Sequence, residues 1–450
     1  MKPTSVKWHT GTTRSALSQK VLFHVPKVVI LSPHFPPATL AGVHRARHMA
    51  KYLPAYGWEP IIIRADEAHY TEKLDPELAK LVPQTVRQIR TSAFPATIAR
   101  KFGVGDIGLR AYLPFKQVLA QVIPSERPDI VFITGSPYYP FLLTHWIKQT
   151  FDIPVVLDLQ DPWVSAEGAL RPKLSKGGLS HLLSKVLEPM AIKHAQFVTS
   201  VSDRQNDEMA ERYPWLNRLA MAAIPIGGDP EDFDALRVNP PQCPIVRLDH
   251  TRINLSYVGT FLPKAGPLVS TLFKALSQFR ERAPDLANKL LLNFVGTSNQ
   301  PNGGGTHLIR PLAAAAGVQD LVNEVPQRVP FLEALSILAN SNGLMMIGSD
   351  EPHYTASKIY PGLMSATPFL SMFHAASSAH KILAEAGGGF PHSFNSVDEL
   401  PSLEKSLAYV FERFATGQIN VAPPNPAAYE DYTAKHVAGS FADVFNRVIS

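Results

Sequence analysis

The chain has 450 residues, 45% hydrophobic and 18% charged, with one cysteine and a formal net charge of +5. That length exceeds one ordinary core, and that composition excludes a disordered or fibrous chain. The single cysteine, Cys243, excludes an intrachain disulfide and a cysteine-built metal site, and no apolar run approaches the roughly 18 residues of a membrane span.

Residues 1–26 read as an N-terminal extension. The opening "MKPTSVKWHTGTTRSALSQK" has neither a long apolar core nor a small-residue cleavage site, so a secretory signal is not expected. Its acid-free, Ser/Thr-rich character leaves a transit peptide open beside a frayed extension. No acid precedes Glu59, against eight Lys/Arg. Residues 1–240 hold 28 Lys/Arg and 22 Asp/Glu, whereas residues 241–450 hold 15 and 16. A basic first half suits phosphorylated substrates or anionic lipid. Without a basic cluster interleaved with aromatics, nucleic acid is not expected as a partner.

The first strand is "KVVILSP", a β-branched run of the buried parallel type. The loop "HFPPATLAG" and the amphipathic helix "VHRARHMAKYL" follow, and "EPIIIRA" completes a βαβ unit. "DIVFITG", the helix "YPFLLTHWIKQTF" and "PVVLDLQ" repeat the alternation. "LSHLLSKVLEPMAIKHA" is predicted helical, and "QFVTSVS" and "AMAAIPIGG" are predicted short strands. The Pro-rich, unpatterned segment 238–250 is a linker. Beyond it the alternation restarts with "INLSYVG", "PLVSTLFKALSQFRER", "KLLLNFVG", "VPFLEALSILANS" and "GLMMIGS". The stretch "SKIYPGLMSATPFLSMF" (357–373) is predicted to be a small, apolar helical run, with Pro361 at its first position. "NPAAYEDYTAKHVAGSFADVFNRVI" is helical by pattern.

Alternating elements predict an α/β protein with two Rossmann-like, doubly wound parallel sheets facing a cleft. The expected units are 27–237 and 251–425, with residues 426–450 forming a terminal helix that returns to the first. Ligands in such sheets sit beyond the carboxyl ends of the strands, so the loops there are the places to inspect.

The segments "SPHFPPATLAGVHRARHMAKYL", "PDIVFITGSPYYPFLLTHWIKQTFDIPVVLDLQDPW", "IPIGGDPEDF", "LSYVGTFLPKAGPL" and "SKIYPGLMSATPFLS" resemble, in order, the motifs of family 4-type retaining glycosyltransferases of GT-B architecture. The resemblance runs over roughly residues 27–395. It implies a first, acceptor domain and a second domain that binds a nucleotide-sugar donor. The reaction would be transfer to a glycan or lipid-linked acceptor, in cell-envelope or exopolysaccharide synthesis, at the cytoplasmic face of a membrane through peripheral contact. The donor would be a substrate, and no cofactor is implied.

By the same resemblance, Asp161 or Asp158 of "DLQDPW" would be the catalytic-side acid, although Asp161-Pro162 can also simply open a turn. Gly42, Arg45 and Gly227 would face the acceptor loop, with Ala41 where the family has a further glycine. Arg47 can equally be a solvated helix residue. Gly259, Lys264, Ser357, Lys358 and Gly362 would hold the donor diphosphate, since a departing diphosphate needs positive compensation when no metal supplies it. Thr260 stands where the family has a basic residue. Pro361 stands where it has a ribose-binding Glu, which leaves Asp350, Glu351 or backbone for that contact. His44 and His48 are four apart, but "HRARH" lacks the Glu of a zinc protease. Asp232 and Asp234 form an Asp-x-Asp that reads as structural, so no metal is expected. The alternative reading keeps the fold without turnover, as a carbohydrate- or nucleotide-binding partner subunit. An epimerase or phosphorylase on the same scaffold ranks below both.

Overall fold

The β-branched runs of the first half assemble into one parallel sheet, as apolar strands buried on both faces must. In the computed structural model, which describes residues 24–242, 244–298, 305–352 and 357–450, the strands are β1 (Lys27–Leu31), β2 (Glu59–Ala65), β3 (Arg87–Thr91), β4 (Ile130–Gly135), β5 (Val155–Leu159), β6 (Phe197–Ser200) and β7 (Met221–Ala223). Their order is β3-β2-β1-β4-β5-β6-β7. Val29 pairs with both Ile61 and Val131, which centres β1 in the sheet. Most of the sequence-based N-terminal extension, residues 1–23, lies outside the described residues, as does Cys243.

The second sheet contains β8 (Ile253–Val258), β9 (Leu290–Val295), β10 (Val322–Val325), β11 (Gly343–Ile347), β12 (Phe369–His374) and β13 (Gly389–Phe394), in the order β10-β9-β8-β11-β12-β13. Each order reverses direction once, between β1 and β4 and between β8 and β11. At such a reversal the loops beyond the strand ends part and leave a crevice.

The helices that matter for the site are α1 (Val43–Tyr52), α2 (Tyr112–Glu126), α3 (Leu143–Phe151), α4 (Lys176–Ile192), α5 (Glu231–Val238), α6 (Gly266–Arg282), α7 (Phe331–Asn340), α8 (Ile359–Met364), α9 (Glu404–Ala415) and α10 (Ala434–Ile449). The second core is built between its sheet, α6 and α9, around Phe273, Phe279 and Phe411. On the first sheet α2, α3 and α4 cover one face and α1 the other.

α10 lies on the first sheet's core beside α1. Its Phe441 ring packs edge-on 5.2 Å from Phe132, and Phe445 lies 5.2 Å from Trp58. Trp58 also donates its indole N–H to Asn446 at 3.1 Å. Each buried aromatic of this kind contributes about 1.5–3 kcal/mol, which ties the end of the chain to its first domain.

Two predicted elements differ from the structure. Residues 357–373 are not one helical run: α8 ends at Met364, Ala366 takes a left-handed φ of 56°, and "FLSMFH" becomes β12. Pro368 blocks continuation of the helix, and an apolar run buried on both faces serves equally as a central strand. Since α8 begins at Ile359, Pro361 stands at its third position, where the helix has no use for its missing N–H. The terminal pattern is likewise shorter. Residues 426–432 form 3₁₀ turns, and the α-helix starts only after Thr433, whose hydroxyl caps it at His436.

Candidate functional site

The two sheets face each other across a cavity of about 140 Å³. Ala41, His48, Gly227 and Asp229 of the first domain line one side, and Phe331, Ser357, Lys358 and Pro361 of the second line the other. The wall is held by Asp75. Its Oδ1 caps a short helix at Glu77 and Leu78, while Oδ2 accepts the Phe331 N–H at 2.9 Å, across the domains. The Phe331 ring then packs 4.5 Å from His44 and under the Arg47 guanidinium. Asp75 and Phe331 were not foreseen. The Asp-Pro-Glu sequence signals a helix cap, but nothing local signals its second, distant donor.

Lys358 is the cation that the second domain brings to this cavity, which Arg47 of the first domain also lines. Its ammonium donates to the Tyr257 hydroxyl and to the Thr260 carbonyl at 3.2 Å, and lies 4.3 Å from the Tyr257 ring centre. Gly259 makes room for it: with φ at 141°, a Cβ there would stand 3.2 Å from Nζ. Among the described residues no carboxylate pairs with Lys358. Burial therefore pulls its ammonium down to about 7. A desolvated amine in a cleft, lacking an anion, is built to receive one.

Lys264 behaves differently. It pairs with Glu351 at 2.7 Å, and both side chains are exposed. The pair bridges the loops after β8 and β11, at the second sheet's reversal point. Asp350, beside it, carries a buried Oδ1 with no hydrogen-bond partner among the described residues. Ser357 lines the cavity and is exposed. Gly362 does not line it. A Cβ there would lie 2.5 Å from Met346, so this glycine packs α8 onto β11.

On the first domain three expectations are corrected. Arg45 does not face the cleft. It is fully buried, donating to Asp158 at 3.1 Å and to the Ile224 and Pro225 carbonyls at 2.6 Å each. Asp158 is equally buried and also accepts from Thr134 at 2.7 Å and Thr199 at 2.9 Å. A carboxylate so enclosed reaches no acceptor, and its part is to neutralise Arg45. Arg47 is not solvated either. It grips Asp232 with two bonds of 2.7 and 2.6 Å and reaches His48 at 2.8 Å. Burial, reinforced by this guanidinium, holds His44 and His48 well below the ordinary imidazole value, so both rings are neutral at pH 7.

Asp161 stands at the end of β5, outside the wall of the inter-domain cavity. Its side chain is open to solvent, yet the protein around it raises its carboxyl above the usual range by desolvation. Its carbonyl accepts from Tyr138, which stacks on Trp163 at 5.3 Å. Gly42 lies against Gln160, whose amide donates to its carbonyl at 3.2 Å. Gly227 takes φ of 72°, and a Cβ would strike the Tyr432 carbonyl at 2.4 Å. Gly228 then exchanges backbone bonds with Tyr432 and Ala434, fastening the crossing segment to the cleft edge.

His48, Asp229 and Asp232 form a cluster whose ligand atoms lie within 4.8 Å of one another. The two carboxylates are already engaged, whereas His48 Nδ1 is buried with no hydrogen-bond partner among the described residues. Asp232 holds Arg47, whereas Asp229 holds Lys51 at 2.7 Å and Tyr52 at 2.7 Å. A divalent ion here would have to displace two cations, so the residues fit an ion-pair cluster rather than a metal centre. Asp234 lies on the exposed side of α5, paired with Arg237.

Residues 41–227 match the glycosyl transferase 4-like domain. The two facing parallel sheets are those of a GT-B fold. No curated protein sequence matches the chain. Among solved structures, a glycosyltransferase from Rickettsia africae is similar at a TM-score of 0.53 and 15% identity, covering 95% of this chain and 100% of that one. Sucrose-phosphate synthase from Thermosynechococcus elongatus gives 0.56 and 15%, covering 94% and 99%. An Anabaena protein solved in complex with UDP-glucose gives 0.53 and 14%, covering 94% and 99%. In this GT-B chain the cavity between Lys358 and Gly227 occupies the cleft between the two Rossmann-like domains.

Proposed function

We propose that the protein transfers a sugar from a nucleotide-sugar donor to a lipid-linked or glycan acceptor, with retention of configuration and without a metal. The observation that carries this reading is Lys358, a desolvated ammonium with no carboxylate partner among the described residues, at the inter-domain cavity. A diphosphate against it would regain the anion that burial denies it. The same contact would strengthen as charge builds on the leaving group, which is what lowers a barrier. The UDP-glucose held by a structural neighbour supports the donor class, and the likeness of the donor segments to family 4-type enzymes supports retention.

The Oδ1 of Asp350, buried without a partner among the described residues, is suited to accept from a ribose hydroxyl, the task that Pro361 cannot perform. Lys264 and Glu351 would close over the donor from the loops beside it. Asp161, with its raised carboxyl, would orient the acceptor hydroxyl or carry its proton. Among the described residues no helix is long and apolar enough to cross a membrane. Peripheral contact with an anionic bilayer at its cytoplasmic face fits the basic first half and the exposed Leu179, Leu182, Val186 and Met190 on α4, interspersed with Lys176 and Lys185.

A second reading, binding without turnover, is favoured by Pro361, Thr260 and Ala41, which replace the family's residues at three places. Thermal-shift screening against UDP-, GDP-, ADP- and TDP-sugars, followed by product analysis by NMR, separates the two. Binding with an anomer-retained product supports transfer; binding without product supports the partner-subunit reading; no shift with any nucleotide refutes both.

A further inference from the structure

Three cavities run in series along the carboxyl edge of the first sheet. The inter-domain cavity ends at Ala41. Its neighbour, Leu40, lines a second cavity of about 400 Å³ with His34, Arg100, Asp106 and Pro137. Arg110 forms a wall of both this cavity and a third, of about 560 Å³, lined by Phe94, Pro95, Phe102, Leu109 and Leu113. Polarity changes along the series. The middle cavity contains charged groups, among them Arg100, Asp106 and Glu72, with the His34 ring 3.3 Å from Glu72. The outer one is apolar and open.

The outer groove is a costly surface. Phe102 is 79% exposed, Leu113 66% and Phe94 51%. Large apolar side chains gathered in one patch mark a surface that meets something apolar. The groove is not a soft accident of a loop. Arg110 spends its guanidinium on the Phe94 carbonyl at 3.0 Å and the His69 carbonyl at 2.9 Å, which fixes the segment that carries it. Positive charge gathers at the groove's inner end, with Arg110 and Arg100 there and Glu72 and Asp106 the acids of the middle cavity. Arg100 and Lys101 adjoin Phe102, and neither has a carboxylate partner among the described residues.

We propose that this groove binds the hydrocarbon tail of a lipid-linked acceptor, with its anionic head beside Arg100 and its sugar-accepting end directed through the middle cavity toward Lys358. The proposal rests on the transferase reading and names the acceptor class for that site. An aliphatic tail satisfies the apolar wall, a phosphate or diphosphate head satisfies the unpaired cations, and the Leu40–Ala41 step connects head to cleft. A neutral glycan would use neither feature.

The test is calorimetric titration of the full chain with farnesyl diphosphate, set against inorganic pyrophosphate and against a UDP probe for the cleft. Phe102→Glu and Leu113→Glu are suitable variants because both side chains are exposed, and unchanged melting confirms their fold. The expected result is tighter binding of farnesyl diphosphate than of pyrophosphate, weakened about tenfold or more by each variant, or about 1.4 kcal/mol, with UDP binding unchanged. Equal affinity in wild type and variants overturns the proposal, as does pyrophosphate binding as tightly as farnesyl diphosphate. A wild-type dimer that either variant dissolves, seen by light scattering, assigns the groove to a second copy and also overturns it. If tail binding follows the variants but no nucleotide-sugar is turned over, the groove stands and the transferase reading falls.

Discussion

Asp158 separates a structural carboxylate from a catalytic one, so its replacement is the most informative single change in the first domain. Asp158→Ala removes three bonds, to Arg45, Thr134 and Thr199. The hydroxyls can turn to other acceptors, but the Arg45 guanidinium stays fully buried with only the Ile224 and Pro225 carbonyls against it. Leaving one partner of a buried pair uncompensated costs about 3–5 kcal/mol. For a domain of this size each kcal/mol lowers the melting temperature by roughly 2–4 °C, so the first-domain transition should fall by about 6–20 °C. Calorimetric melting and transfer assays at 20 °C, on the same samples, read the two effects apart. The companion Arg45→Met/Asp158→Leu should recover much of the loss, because neither charge is then stranded. An Asp158→Ala protein that melts like wild type but has lost transfer would refute this reasoning and return Asp158 to the chemistry.

Because burial pulls Lys358 to about 7, it is mostly neutral in the free protein at pH 8, and binding a diphosphate must recharge it. Titrations with UDP in buffers of differing ionisation enthalpy at pH 8 should show uptake close to one proton, absent in Lys358→Met, with affinity falling as pH rises above 7. Transfer should survive EDTA, since Arg47 and Lys51 already occupy the carboxylates of the His48–Asp229–Asp232 cluster; inactivation by chelator with recovery on manganese would show the opposite. Gly227→Ala should destabilise the protein by at least about 1–2 kcal/mol, the cost of a left-handed side chain, because its Cβ also meets the Tyr432 carbonyl; a melting temperature equal to wild type would contradict this.

Most central strands were legible because they are continuous apolar runs, although one such run, β12, was read as helix. β1, β4 and β5 of the first sheet and β8, β9 and β11 of the second lie within a residue or two of their predicted limits. The edges were not. β3, "RQIRT", β10, "VNEV", and β13, "GFPHSF", carry charged residues, an amide or a proline, as outer strands do, and local pattern does not separate them from loops. The site divides along a similar line. Lys358, Ser357 and Gly227, which line the cavity, were legible as candidates because they stand beside turn and helix-start signals at strand ends. Arg45, Arg47 and Asp158 were misplaced because a charged residue looks the same in sequence whether it meets solvent or a partner more than a hundred positions away. Nothing nearby predicts that Asp232 will be waiting for Arg47.

The measurement that bears most directly on the account is the single-turnover rate of sugar transfer by Lys358→Ala. Removing a desolvated ammonium that has no carboxylate partner among the described residues should leave the fold intact and the melting temperature no lower. Losing a positioned charge from the leaving diphosphate should slow transfer by about 10²–10³, with partial recovery in Lys358→Arg, which keeps the charge but not the reach. Transfer at the unmodified rate by a well-folded Lys358→Ala protein would contradict the claim that the donor diphosphate departs against Lys358.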